Sequence, residues 1–436
     1  MNPNRILRVI LSPRLTWICL ALAVLFHDPA LAAEQAAPSV GSLNVEAETR
    51  AYLERQTAKE KSRSDAYFEG GYWVQLWQFL YGAALSLLLL QTRLSSGMRD
   101  LASRISRFKP VQSIAYAIQY ILLTSLITFP LSVYTDFLRE HKYGLATQNF
   151  AGWVGDWCKG LLVGVIIGCI AVAGLVGIVR RLQRTWHLWG AVMSLVFLAV
   201  LTLLSPVFIA PLFNKYTALD KPEVVGPILR LARANGITAD KVYQMDASRQ
   251  STRVSANVSG FLSTMRITLN DNLLNRCSLA EIQAVMGHEM GHYVLNHVYK
   301  GLLFFGVVIV IGFAFVHWAL TRALGRYGTR WGIAGVTDLA VVPFFVLLFS
   351  TYMFVLTPVT NTFVRTQEME ADMFGLNAAR QPDGAALAAL KLGEYRKMQP
   401  GPIEEWIFFD HPSGATRIHA AMRWKAENLG ANSVAR

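Results

Sequence analysis

The stretch Glu281-Ile-Gln-Ala-Val-Met-Gly-His288-Glu289-Met290-Gly291-His292-Tyr-Val-Leu-Asn-His297 is followed within five residues by Leu302 to Leu320, a segment free of Asp, Glu, Lys and Arg. Ile282, Val285 and Met286 recur at helical spacing, so the first half reads as an amphipathic helix. On it His288 and His292, four residues apart, project from one face, and two imidazoles so placed can share one tetrahedral zinc ion. Glu289 stands beside the first, where a carboxylate can take a proton from activated water without itself binding the metal. The apolar half is about as long as a bilayer core is thick. Together the halves point to metal chemistry carried out at a membrane boundary.

Working outward, five further windows lack those four residue types: approximately Tyr72 to Gln91, Gln112 to Val133, Leu161 to Val179, Trp186 to Leu204 and Leu339 to Thr357. A centrally placed Asp, Lys or Arg would cost a spanning helix about 2.5–3.5 kcal/mol; within the six windows only His187 and His317 readily carry charge near neutral pH. The whole chain of 436 residues is 53% hydrophobic and only 16% charged, against about 25% charged in soluble domains. Its mean hydropathy is +0.33. This excludes disorder and any collagen-like or disulfide-framework class. Leu15 to Phe26 is shorter, follows Arg5, Arg8 and Arg14 and precedes Ala30-Leu31-Ala32, the pattern of a signal peptide or of a short first membrane helix. The four cysteines, Cys19, Cys158, Cys169 and Cys277, lack C-x-x-C spacing and read as packing residues.

The net charge of +12 is unevenly placed. It is accounted for by the first fourteen residues and the connections 92–111, 180–185 and 321–338, while the rest of the chain is formally neutral. Such clustering is an orientation signal, not a nucleic-acid footprint, and makes those connections cytoplasmic. The polar stretches 34–71, 134–160, 205–300 and 358–436 then belong on the opposite face. The charged stretch from Arg50 to Glu69 reads as a solvated helix or linker.

The metal needs a third protein ligand. A metzincin would carry Gly and His where this chain has Leu295 and Val298, and a thermolysin-like acid about 20 residues downstream falls at Gly312, inside an apolar window. The next acidic cluster is Glu368-Met-Glu370-Ala-Asp372. On a helix Glu368 and Asp372 share a face and Glu370 points away, which assigns Glu368 to zinc and Asp372 to a ligating histidine. His297 is expected to be a structural or rim residue.

Glu-x-x-Ala-Asp downstream of His-Glu-Met-Gly-His, across a membrane hairpin, resembles the CAAX prenyl protease 1 family of integral-membrane gluzincins. Glu140 to Phe150, Ser205 to Tyr216 and Asp410-His411-Pro412 with Arg417 extend the likeness over roughly residues 50–425. The resemblance implies a shell of membrane helices around a large chamber. It further implies that Ser255, Ala256, Asn257 and Val258 form an edge strand pairing with substrate backbone, that His411 donates to the developing oxyanion, and that Arg417 organises Asp372. Ser255 stands where the family usually has Asn. Arg365 is expected to be structural.

The expected architecture is mainly α: a polytopic helical membrane protein with a zincin-type catalytic domain carrying a small β element. Residues 1–33 form the signal or first helix, 34–204 a four-helix membrane region, and 205–436 a zinc peptidase domain with a membrane hairpin at about 302–357. The expected activity is zinc-dependent endopeptidase action, with one Zn2+ per chain, on membrane-associated or envelope polypeptides. The partners are a peptide or protein substrate and the lipid bilayer, with no nucleic acid, at a bacterial inner membrane with the catalytic side facing the periplasm. The alternative from another class is a membrane transporter or scaffold with a degenerate zinc motif. A site-2-type intramembrane protease is disfavoured by the polar approach of Asp271, Asn272, Asn275, Arg276, Glu281 and Gln283 to the motif.

Overall fold

The computed structural model describes residues 43–259 and 265–429. The expected signal peptide or first helix at 1–33 lies outside the described residues. The charged stretch before the first window is helical: α1 covers Val45–Leu53, and α2, Ala58–Gln91, starts at a Thr57–Glu60 capping box. At 34 residues α2 is about 51 Å long, more than the ~30 Å hydrocarbon core, so its charged first third extends beyond the membrane. α3 is Leu94–Ile105. α4, Lys109–Ser132, carries Pro130 near its end; the missing N–H loosens the ladder and the chain continues through a wide turn, Val133–Leu138, to Lys142. α5 is Phe150–Arg181 and α6 is Trp186–Leu204.

A polar domain follows. It contains β1 (Tyr216–Ala218), α7 (Pro222–Ala234), β2 (Val242–Met245), β3 (Ala256–Ser259), β4 (Arg266–Asn270), α8 (Asp271–Arg276) and α9 (Leu279–Val294). The sheet order is β1-β2-β4-β3, with β2 and β4 parallel and both outer pairs antiparallel. Ile228 of α7, Ile267 and Leu269 of β4, and Ile282, Met286 and Met290 of α9 are buried together, so the sheet and both helices share one core.

α10, His297–Trp331, returns to the membrane and ends at Gly332 in the left-handed region, φ 67°. The sixth window does not make a straight span. α11, Val342–Val355, stops before Leu356, and α12, Thr357–Ala379, leaves at 56°. Pro358 in the first turn of α12 cannot continue the earlier helix; the bend carries the chain out of the membrane and into the polar domain. α13 (Pro382–Leu392), α14 (Pro402–Phe408) and α15 (Gly414–Asn428) complete it.

Neighbouring spans close a ring in the order α2, α4, α5, α6, α10, α11, with Tyr81 of α2 donating to the Ile127 carbonyl of α4 at 2.9 Å. No more than a third of any of the five straight apolar windows is buried, which leaves apolar helix surface for lipid. At one end of the ring Arg99 reaches Asp338 at 2.6 Å and Arg93 donates to the Arg330 carbonyl. At the other, Glu140 pairs with Arg253 at 2.6 Å. The arginine-rich connections thus gather on one face and the polar domain on the other.

Candidate metal centre

Two helices make the site. α9 starts at a Ser278–Glu281 capping box, and Glu281 is also held by Lys391 of α13 at 2.7 Å. α9 crosses α12 where both present small residues at helical spacing: Gly287 and Gly291 against Ala371 and Gly375. A Cβ on Gly375 would lie 2.7 Å from the backbone nitrogen of His288, and one on Gly287 3.0 Å from the Gly375 carbonyl oxygen. Each metal-directed side chain is close in sequence to one of these contacts. Backbone contact therefore brings His288 and His292 against Glu368 and Asp372.

The atoms converge. His288 Nε2 is 3.1 Å from His292 Nε2 and 3.2 Å from Glu368 Oε2, and His292 Nε2 is 3.4 Å from Glu368 Oε1. The edge of a tetrahedron with ligand bonds of about 2.0–2.1 Å is about 3.3 Å. Glu368 is buried, and its Oε2 has no aligned hydrogen-bond donor, an orphan that a cation at the centre would satisfy. The donor set fits zinc.

His288 Nδ1 is 2.8 Å from Asp372 Oδ1, and Arg417 of α15 grips both Asp372 oxygens at 2.8 and 2.5 Å. Burial opposes a charge on His288, but Asp372 and Glu368 outweigh it and raise its pKa. Burial likewise raises Glu368 and Asp372, yet the adjoining His288 and His292 imidazoles hold the first, and Arg417 with His288 the second, below the ordinary carboxylate range. The pocket is built to stabilise positive charge. Burial pushes the Glu289 carboxyl up, towards the range of a general base.

Sequence reasoning missed the partner of His292. His297 is 4% exposed, with Nδ1 2.9 Å from His292 Nδ1 and Nε2 3.1 Å from Glu370 Oε2. Lys300 in turn donates to Glu370 at 2.6 Å. With Nε2 of His292 turned to Glu368, its Nδ1–H donates to His297, whose Nε2–H donates to Glu370. Glu370 does point away from the ligand cluster, but to support it from behind.

His411 turns Nε2 towards the cluster, 3.3 Å from Glu368 Oε2, and bonds Asp410 through Nδ1 at 2.8 Å. Arg365 donates to the carbonyls of Glu405 and Phe409 at 3.0 and 2.6 Å, bracing the turn that carries His411. This is a structural task.

A cleft of about 290 Å³ joins His288, Glu289, Glu368 and His411 to Ser255 and Ala256. β3 is the outer strand on that side. Ser255 donates its N–H to Asn270 Oδ1 at 3.1 Å and accepts from Asn270 N–H at 3.0 Å. Antiparallel alternation then directs Ser255 and Asn257 towards β4 and turns the backbone groups of Ala256 and Val258 outward. The expectation that Ser255 and Asn257 offer their backbone to a substrate is corrected accordingly: Asn270 already engages Ser255, and Asn257 faces Thr268 of β4. The loop from Glu140 to Phe150 braces this approach, with Thr147 Oγ1 donating to the Ser248 carbonyl and an isolated bridge between Ala146 and Ser251.

The family model described as peptidase family M48 matches residues 218–425, and one described as CAAX prenyl protease N-terminal, five membrane helices, matches 45–215. The chain is 30% identical over 339 residues to the uncharacterized metalloprotease YhfN of Bacillus subtilis, covering 77% of this chain and 79% of that one. It is 28% identical to CAAX prenyl protease 1 of Saccharomyces cerevisiae, over 72% of this chain and 74% of that one. Its fold matches the crystal structure of S. mikatae Ste24p with a TM-score of 0.72, covering 87% of this chain and 94% of that one at 22% identity. The transporter or scaffold reading finds no support in these likenesses. With two motif helices crossing beside a small mixed sheet under a ring of membrane helices, the chain belongs to peptidase family M48 as an integral-membrane metallopeptidase.

Proposed function

We propose that His288, His292 and Glu368 hold one zinc ion and that the protein is an endopeptidase acting on membrane-associated or envelope polypeptides. The observation that carries this reading is the convergence of three ligand atoms 3.1–3.4 Å apart in a cleft bordered by a free strand edge. Zinc, when bound, supplies Lewis-acid activation of water and of the scissile carbonyl. Glu289 takes the proton of the attacking water and delivers it to the leaving amine. His411 donates from Nε2 to the developing oxyanion while Asp410 holds its other nitrogen. Ala256 and Val258 pair with the substrate backbone by strand addition. Asp372 with Arg417, and Glu370 with His297, keep the two imidazoles aimed.

The arginine-rich end of the ring is the cytoplasmic one by the bias of short basic loops. This puts the cleft on the outer side of a bacterial inner membrane, facing the periplasm, where envelope polypeptides rather than prenylated peptides are the available substrates. A phosphatase reporter fused near Gly328 should be inactive; activity there overturns the orientation. Purified protein should cleave a quenched peptide, lose that activity to a chelator and regain it with zinc. Glu289→Gln should keep its zinc and lose activity by about 10²–10⁴-fold, and undiminished hydrolysis by that variant would refute the mechanism.

A further inference from the structure

Beside the cleft stands an arginine with nothing to bind. Arg396 follows α13 and lines both the metal cleft and an adjoining cavity of about 520 Å³. Its Nη1 is sealed from solvent without a hydrogen-bond partner, and no carboxylate lies within ion-pair distance of the guanidinium among the described residues. Asp410, on the wall of the same cavity, is engaged by His411 Nδ1 at 2.8 Å. The other arginines around it each have a carboxylate: Arg417 pairs with Asp372 and Arg253 with Glu140. Burial and the nearby Arg417 charge both press on the guanidinium and lower its pKa. An arginine cannot shed its proton at ordinary pH, so a partly buried one without a counter-ion is poised for an incoming anion.

The direction of β3 says which part of a substrate meets it. Arg253, two residues before Ser255, lies 5.2 Å from the ring centroid of Tyr395, so Tyr395 and Arg396 stand at the start of the strand. A peptide added antiparallel to β3 would run its C-terminal half towards that end.

We propose that Arg396 is a specificity-determining residue that binds a carboxylate of the peptide substrate on the C-terminal side of the scissile bond. This rests on the peptidase reading. The planar fork of an arginine suits bidentate carboxylate binding, and an incoming carboxylate would supply the direct ion pair that no described residue gives Arg396. The carboxylate comes either from an acidic side chain or from a free chain end, and the test separates them.

Three quenched peptides of one sequence serve as probes: a neutral peptide amide, the same amide with one Glu downstream of the cut, and the neutral peptide with a free C-terminal carboxylate. Binding is measured on zinc-loaded Glu289→Gln and on Glu289→Gln combined with Arg396→Gln; turnover is measured on wild type and on Arg396→Gln and Arg396→Lys. One carboxylate peptide should bind about tenfold tighter than the neutral one, and whichever does so identifies the source. Arg396→Gln should erase that preference, its loss falling about tenfold more heavily on the preferred carboxylate peptide than on the neutral one, and Arg396→Lys should restore part of it. Equal binding of all three peptides, binding of none, a preference surviving Arg396→Gln, or an equal loss on every peptide overturns the proposal. Binding with the expected preference but no turnover in wild type would instead fault the peptidase reading.

Discussion

His288 and His292 sit one turn apart on the same helix, yet they are held from behind in different ways. His288 bonds directly to Asp372, whose side chain is 14% exposed and clamped by Arg417. His292 reaches its carboxylate through His297, and that carboxylate, Glu370, is 44% exposed and shared with Lys300. The first arm is a desolvated charge pair and the second is a relay that ends in water. The difference teaches that two histidines aimed at one cluster need not be equally supported: an interaction screened by solvent orients a side chain more weakly than one sealed inside.

The largest effect on zinc binding should come from the crossing on which both arms depend. Gly375→Val puts a branched side chain where a single Cβ already lies 2.7 Å from His288 nitrogen; zinc should be lost entirely and stability reduced by about 1–3 kcal/mol, read by metal analysis and thermal unfolding. Next, Asp372→Ala leaves Arg417 buried and unpaired. It should weaken zinc binding about 100-fold and cost about 3–5 kcal/mol of stability, measured by chelator competition and denaturant unfolding. His297→Ala should weaken zinc by about tenfold; a loss matching that of Asp372→Ala would erase the inequality between the arms. Lys300→Ala, at a half-exposed pair, should change stability by less than about 1 kcal/mol and leave zinc affinity within about twofold.

What was legible in the sequence follows the range of the interactions. The apolar windows, the His288–His292 face and the Glu368–Asp372 face are local periodicities, and each sits on a helix. The arms are another matter. Asn296, at φ 58°, breaks the chain between α9 and α10, so the periodicity of the motif helix does not place His297, and the reading of it as a structural or rim residue names no partner. The break at Pro358 was visible as a residue, but its consequence, a helix leaving the membrane at 56° with Glu368 on it, depends on what that helix packs against. Likewise the alternation of β3 marked a strand, while the hydrogen bonds of Ser255 to Asn270 decide which residues turn outward. Arg396 lies in no motif, and its isolation exists only once the cleft is folded.

The central claim is that His288, His292 and Glu368 hold one metal ion between them. It is tested most directly by zinc analysis of the purified wild type beside Glu368→Ala, with thermal unfolding to show that both are folded. The account predicts one zinc per wild-type chain and almost none in a folded Glu368→Ala. Equal zinc in the two proteins would contradict it.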